Sequence, residues 1–332
     1  MKLTPGKLKG LQAVSDQRGV IAAAAMDQRG SLKKALGPQT TAEMMSEFKT
    51  AVSRLLTPYA SAILLDPEYG LPAARARAAN AGLLLAYEES GYDNTQPGRL
   101  PDLLPHCSVR RLQADGADCI KVLLYYTPFE RPEINDIKHA FIERIGAECQ
   151  AADIPFFLEF VGYDPDGGDE KGLEYAQRKP EIVRASVAEF SRGQYGVDVL
   201  KIEIPVNGKF VEDTPSFQGQ RAYSRDEALD YFRATAAAAR RPFIFLSAGV
   251  SNAEFNQNLA LAAASGVKFN GVLCGRATWK DGIGVYAQQG LKGFETWLQT
   301  QGRKNIEAVN ESLKAASPWY AAYGVSSAAA LA

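Results

Sequence analysis

A lysine stands in the middle of VDVLKIEIPVN, a run that otherwise reads as a buried strand. Valine, leucine and isoleucine surround Lys201, and charged side chains are almost never fully buried without a partner. A second lysine, Lys121, sits the same way in ADCIKVLLYYTP. Alternation along a strand decides where the two point. Leu200, Ile202 and Ile204 share one parity, while Val199, Lys201 and Glu203 share the other. In the second run Ile120, Val122 and Leu124 oppose Cys119, Lys121 and Leu123. With the apolar parity packed against covering helices, both lysines face inward. Glu159 of IPFFLEFVGY and Asp27 at the end of VIAAAAMDQRG join them.

These residue types suit amine chemistry. A neighbouring cation favours the neutral form of an amine, because like charges oppose protonation. A neutral lysine can attack a ketone and form a Schiff base. Lys201 is the expected nucleophile, Lys121 its cationic neighbour, and Glu159 or Asp27 the proton carrier. The plainer reading is an ion-pair network that fills the interior. Two lysines, a glutamate and an aspartate from four strands favour chemistry, since isolated buried charge is expensive.

A second constellation suits an anion. LSAGVS and LCGRATW place Gly249 and Gly275 at strand ends, where backbone N–H groups can approach a ligand. Arg276 adds a fixed cation suited to phosphate. Tight turns alone would explain the glycines. The two pieces together with the arginine favour phosphate.

The elements that carry these groups alternate along the chain. Eight apolar runs read as strands: VIAAAAMDQRG, ASAILLDPEYG, AGLLLAYEESGY, ADCIKVLLYYTP, IPFFLEFVGY, VDVLKIEIPVN, PFIFLSAGVS and FNGVLCGRATW. Helical patterns such as TAEMMSEFKTAVSRLLTPYA and NDIKHAFIERIGAECQAAD separate them. Apolar strands alternating with helices form a parallel sheet covered on both faces, and eight such units predict a closed (β/α)8 TIM barrel. In such barrels the C-terminal ends of the strands carry the active site, and the loops after strands seven and eight often carry phosphate. Residues 1–332 read as one such domain, with residues 1–17 as an N-terminal arm outside the barrel. A helix follows the last strand, and residues 318–332 form a small-residue tail expected to fray. No G-x-G-x-x-G follows the first strand, which argues against a dinucleotide fold.

Bulk properties exclude several classes. With 37 basic and 38 acidic residues the net charge is −1, so nothing points to a nucleic-acid partner. No run approaches the roughly 20 apolar residues of a membrane span, and MKLTPGKLKG lacks the apolar core of a signal peptide. Cys107, Cys119, Cys149 and Cys274 are scattered and read as free thiols of the reducing cytosol. Only two histidines exist, His106 and His139, too few for a typical catalytic zinc site. Both read as structural or surface residues.

The motifs AMDQRGSLK, LTPYASAILLDPEYG, LLLAYEESGYD, DVLKIEIPVN, LSAGVS and FNGVLCGRATW resemble those of the class I tagatose 1,6-bisphosphate aldolases, from the first strand to SPWY near the end. The resemblance implies a (β/α)8 barrel that cleaves D-tagatose 1,6-bisphosphate to glycerone phosphate and D-glyceraldehyde 3-phosphate. It implies no metal and no cofactor, only a lysine Schiff base. It carries the Schiff-base role to Lys201, acid–base work to Glu159, and the other polar positions of the site to Lys121 and Asp27. Ser247, Gly249, Gly275 and Arg276 fall where the family grips the ketone-side phosphate. Gln28 and Arg29, beside Asp27, lie within reach of substrate. The segment VGYDPDGGDEKGLEYAQRKP departs from the family pattern, in a loop that can border the aldehyde side. Loose C4 stereospecificity, extending to fructose 1,6-bisphosphate, is one expectation.

Three rival readings accompany this one. A sister branch of the fold cleaves 6-deoxy-6-sulfofructose 1-phosphate, but LDPEYG and AYEESGYD resemble the tagatose branch more. A phosphosugar isomerase or epimerase would share the phosphate site without needing paired lysines. A non-catalytic phosphosugar-binding regulator would not need both lysines and the glutamate. A phosphosugar partner and a cytoplasmic homo-oligomer complete the expectation.

Overall fold

The computed structural model of the chain describes residues 2–89 and 96–332. Ser90 to Asp93, the end of the LLLAYEESGYD motif, lie outside the described residues. All eight expected strands form: β1 (Ile21–Met26), β2 (Ala62–Leu65), β3 (Gly82–Ala86), β4 (Cys119–Tyr125), β5 (Phe156–Val161), β6 (Val199–Ile202), β7 (Phe243–Leu246) and β8 (Gly271–Cys274). Each pairs in parallel with the next, and β1 pairs with β8, so the sheet closes into a barrel. The expected helices also form, at Ala42–Leu56 and Pro132–Ala151.

The alternation read from sequence divides the core in two. Leu200, Ile202, Ile120, Val122 and Leu124 belong to the large cluster between sheet and helices. Val199, Cys119, Phe157 and Ile244 fill the barrel interior. β1 contributes only alanines to the middle of that interior, Ala23 and Ala25. Their small size leaves the space above them open toward the C-terminal mouth, where Ala25 lines a cleft.

The C-terminal tail differs from expectation. It does not fray. The Ser317 amide donates to Phe269 O at 2.8 Å, Trp319 N to Gly19 O at 2.8 Å, and Leu3 N to Leu331 O at 2.8 Å. Trp319 and Leu331 are both 0% exposed and pack with Leu3, Leu11 and Val14 against the interior residues of the barrel. A barrel's N-terminal mouth exposes apolar interior unless something covers it, and here the arm and the tail cover it together. The helix Pro5–Ala13 supplies the arm. The alanine- and serine-rich composition of the tail concealed two large apolar anchors. Trp319→Ala is therefore expected to destabilise the fold by ~3–5 kcal/mol, seen as a lower urea midpoint. Because Trp319 lies at the end of the barrel away from the cleft, the kinetic constants of the folded fraction should stay unchanged.

Candidate active site

The C-terminal mouth gathers the inward charges. Glu159 and Lys201 are direct partners in the β5–β6 register, so their side chains leave the sheet on the same face. Lys201 Nζ lies 2.7 Å from Glu159 Oε2. Lys121 Nζ lies 2.9 Å from the same oxygen, 2.8 Å from Asp27 Oδ2 and 2.6 Å from Glu88 Oε1. The two lysines are 1% and 4% exposed, for Lys121 and Lys201 respectively. They share a cleft of about 680 Å³ with Asp27, Gln28, Arg29, Ser247, Gly249, Gly275 and Arg276.

Glu88 is a member that sequence reasoning missed. The signal was present: Leu84, Ala86 and Glu88 continue the inward parity of β3. Its presence changes the electrostatics. The cluster holds two ammonium groups and three carboxylates. Lys121 is therefore not a bare cation repelling Lys201. Its main action is to gather Asp27, Glu88 and Glu159 around one charge. Burial alone would strip its proton, but Asp27, Glu159 and Glu88 outweigh burial and hold it well above the usual lysine range. Burial also opposes ionisation of Glu159, yet Lys121 and Lys201 hold its carboxyl below the ordinary range. Asp27 is lowered in the same way against burial, by Lys121 first and Lys201 next. For Glu88 burial wins over Lys121 and Arg29, and its carboxyl is raised. The two glutamates of the site are thus shifted in opposite directions, Glu159 down and Glu88 up.

Glu203 does not join this cluster, although it shares the parity of Lys201. β6 ends at Ile202, and the Glu203 carboxylate accepts from Gly162 N at 2.8 Å and pairs with Lys179 at 3.1 Å. Past the strand end, alternation no longer predicts direction. The divergent segment after β5 contributes none of its residues 162–180 to the lining of the cleft.

The loop after β7 is a tight turn. Val250 N donates to Ser247 O at 3.1 Å, and the two residues between, Ala248 and Gly249, have φ of 48° and 76°. Two successive left-handed residues define a type I′ turn, and glycine suits the second of them. A Cβ on Gly249 would also lie 2.8 Å from Arg276 Cζ. The exposed Arg276 guanidinium thus lies against this turn. Lys280, which sequence reasoning did not single out, donates to Gly249 O at 2.9 Å. Gly275 has an ordinary φ, but a Cβ there would come within 2.7 Å of Ala25 O. Its role is close approach between β8 and β1.

Gln28 and Arg29 have different surroundings. Gln28 Oε1 is buried with no hydrogen-bond partner among the described residues. Arg29 donates to Glu68 Oε2 at 2.8 Å and to Glu88 O at 2.6 Å, which ties the loops after β1, β2 and β3. Neither histidine lines the cleft. His139 Nε2 lies 3.2 Å from Tyr126 OH, and His106 is exposed. All four cysteines are free. Among the described residues, no group of three or more His, Cys, Asp or Glu side chains is placed to hold a metal ion. Likewise, no described helix is long and apolar enough to cross a membrane.

Residues 21–281 match the DeoC/LacD family aldolases. The chain belongs to this family. It is thus an aldolase, a lyase that breaks a carbon–carbon bond. Tagatose 1,6-diphosphate aldolase 2 of Enterococcus faecalis is 54% identical over 325 residues, 97% of this chain and 98% of that one. Tagatose 1,6-diphosphate aldolase of Listeria monocytogenes is 51% identical over 328 residues, 98% of this chain and 96% of the relative. Among solved structures, the fructose-bisphosphate aldolase from Plasmodium falciparum superposes with a TM-score of 0.63 at 15% identity, covering 93% of this chain and 96% of that one. An archaeal fructose-1,6-bisphosphate aldolase, solved with its catalytic lysine bound to the carbinolamine intermediate, gives 0.56 at 14% identity, covering 91% of this aldolase and 98% of that chain. At such identities the two structural likenesses concern the barrel fold.

Proposed function

We propose that this aldolase is a class I, Schiff-base enzyme that cleaves D-tagatose 1,6-bisphosphate to glycerone phosphate and D-glyceraldehyde 3-phosphate. The observation that carries the reading is the single oxygen, Glu159 Oε2, shared by Lys201 at 2.7 Å and Lys121 at 2.9 Å inside the cleft. The names of the relatives at 54% and 51% identity support the substrate.

The cycle starts when the Lys201 amine attacks C2 of the open-chain ketose. Attack needs the free amine, and Glu159 is the acceptor within reach of its proton. The carbinolamine loses its hydroxyl as water, with the proton delivered from the same carboxyl, and an iminium remains. Glu159, ionised again, removes the C4 hydroxyl proton. The C3–C4 bond breaks, its electron pair passes into the iminium, and the aldehyde leaves. Protonation of the enamine at C3 and hydrolysis of the resulting iminium release glycerone phosphate and restore Lys201. Dividing the reaction in this way lowers each barrier. The iminium is the electron sink, the part that a metal ion plays in metal-dependent aldolases.

The turn Ser247–Val250, Gly275 and Arg276 grip the ketone-side phosphate in this proposal. Arg276→Ala is expected to weaken bisphosphate binding by about 2 kcal/mol, near thirtyfold in KM. A ketose without the C1 phosphate should be affected far less, and equal losses on both would place the arginine elsewhere.

Borohydride trapping tests the mechanism. Wild-type enzyme incubated with glycerone phosphate and borohydride should gain one reduced three-carbon phosphate per chain, and activity should survive prolonged EDTA treatment. An active enzyme that gains no adduct, or that EDTA silences and zinc revives, overturns the Schiff-base reading. Cleavage assays on the four ketose 1,6-bisphosphate epimers and on 6-deoxy-6-sulfofructose 1-phosphate then fix the substrate range.

A further inference from the structure

We propose that Lys49, a lysine on the helix Ala42–Leu56 outside the cleft, is the positioning residue that aims Asp27 at Lys121. Lys49 is 0% exposed, an unusual state for a lysine on a helix that covers a barrel. It does not itself line the cleft. Its ammonium donates to Met26 O at 2.8 Å, to Gln28 O at 2.7 Å and to the Asp66 carboxylate. An ammonium has three protons, and all three are used.

The identity of those acceptors carries the argument. Met26 and Gln28 are the residues on either side of Asp27. β1 pairs with β8 only as far as Ala24 and with β2 only as far as Met26. Met26 is the last residue of that ladder; beyond it the chain leaves the sheet, and the Gln28 carbonyl has no strand partner. Lys49 supplies a donor to each of the Met26 and Gln28 carbonyls at the fork where β1 and β2 separate, since Asp66 directly follows β2. Holding the peptide group before Asp27 and the one after Gln28 pins the chain on both sides of Asp27 and so restricts the direction in which its side chain leaves the backbone. That direction brings Asp27 Oδ2 to 2.8 Å from Lys121 Nζ. The Lys49 charge acts in the same sense, as one of the cations that keep Asp27 ionised against burial, after Lys121 and Lys201.

A buried ion pair with Asp66 is the plainer account, and Asp66 is itself anchored by Tyr69 N at 2.8 Å. Such a pair needs one bond from the lysine. Two of the three bonds go instead to the carbonyls that bracket a site residue. Buried pairs are also a poor source of net stability, since their desolvation offsets their attraction. A Met in place of Lys49 would fill the same space but would remove this donor from both carbonyls and leave the buried Asp66 carboxylate without its ammonium.

The kinetic consequence rests on the site assignment proposed above. A double-mutant cycle tests the inference on the full chain, with Lys49→Met, Asp27→Asn and the double variant compared with wild type for cleavage of tagatose 1,6-bisphosphate. Lys49→Met should lower kcat by ~10–100-fold while KM moves by less than about threefold. Asp27→Asn should lower kcat further, and the double variant should be no slower than Asp27→Asn within about twofold. Melting temperatures report the structural part separately, and their losses should add. Losses in kcat that multiply overturn the inference, as does a Lys49→Met enzyme with lowered melting temperature and unchanged kcat. Should Lys49→Met fail to fold, Lys49→Gln, which keeps an amide donor for the carbonyls but no charge, enters the same cycle under the same criteria. Borohydride trapping of wild type separates the two ideas. A missing adduct removes the Schiff-base reading, while the coupling of Lys49 to Asp27 is still read from whatever cleavage the enzyme performs.

Discussion

Lys201→Met is expected to fold like wild type and to lose cleavage by at least ~10³-fold. Methionine keeps nearly the volume of the lysine stem but has no amine, so the covalent route disappears as a whole. The pair with Glu159, 2.7 Å apart, is lost as well, yet Glu159 retains Lys121 at 2.9 Å, so the carboxylate is not left unpaired. This spares the fold. In wild type, peptide mapping after trapping with glycerone phosphate and borohydride should find the reduced adduct on Lys201 and not on Lys121 or Lys209. Glu159→Gln should still form the adduct but turn over slowly, because its defect lies in proton transfer. An adduct on Lys121 would exchange the roles of the two lysines within the proposed mechanism.

Lys121→Met should be the more damaging change for the protein as a whole. Removing this ammonium leaves Asp27 and Glu88 without their lysine partner and Glu159 with Lys201 alone. Breaking a buried pair by deleting one side typically costs ~3–5 kcal/mol, and here three carboxylates lose a partner. The effect depends on pH, and its sign follows from the shifts. Asp27 and Glu159 are held below their ordinary range by Lys121 and Lys201 against burial. Carboxyls lowered in the folded state contribute stability above their unfolded pKa, near 4, and lose it as pH falls. Without Lys121, burial is less opposed and both carboxyls rise. The stability gap between wild type and variant should therefore be widest near neutral pH and narrow as the pH falls below about 5. Urea midpoints at pH 7.5 and pH 4.5 measure this, and an equal gap at both would mean that Lys121 acts by packing alone. The acid limb of the cleavage profile should also move to higher pH, since Glu159 takes up its proton earlier.

Much of this was legible in the chain itself, for a physical reason. A period of two along a strand is a local property, and a closed barrel gives each parity one destination. Lys121, Glu159 and Lys201 could therefore be placed on the inner face without coordinates, and Cys119 and Val199 beneath them. The glycines at the ends of β7 and β8, next to Arg276, were readable because the strand ends were. Glu88 could have been found by the same rule, by carrying the parity of Leu84 and Ala86 one step past β3.

Tertiary structure alone decided the rest. Glu203 has the right parity but lies past the end of β6, where Gly162 N and Lys179 capture it. The tail looked too small-sided to hold, yet Trp319 and Leu331 seal the mouth that barrel closure creates. The charge state of the site was also beyond sequence reading. Parity says which side chains enter the barrel, but not that Lys121 stands within 2.9 Å of three carboxylates, which changes it from a repelling neighbour into the hub of the cluster. Lys49 gave no signal, because nothing in EFKTAV distinguishes a buried lysine from an exposed one. Its partners come from two strand ends that only the fold brings together. Local periodicity specifies direction. Distances between elements, and with them electrostatics, follow from how the barrel closes.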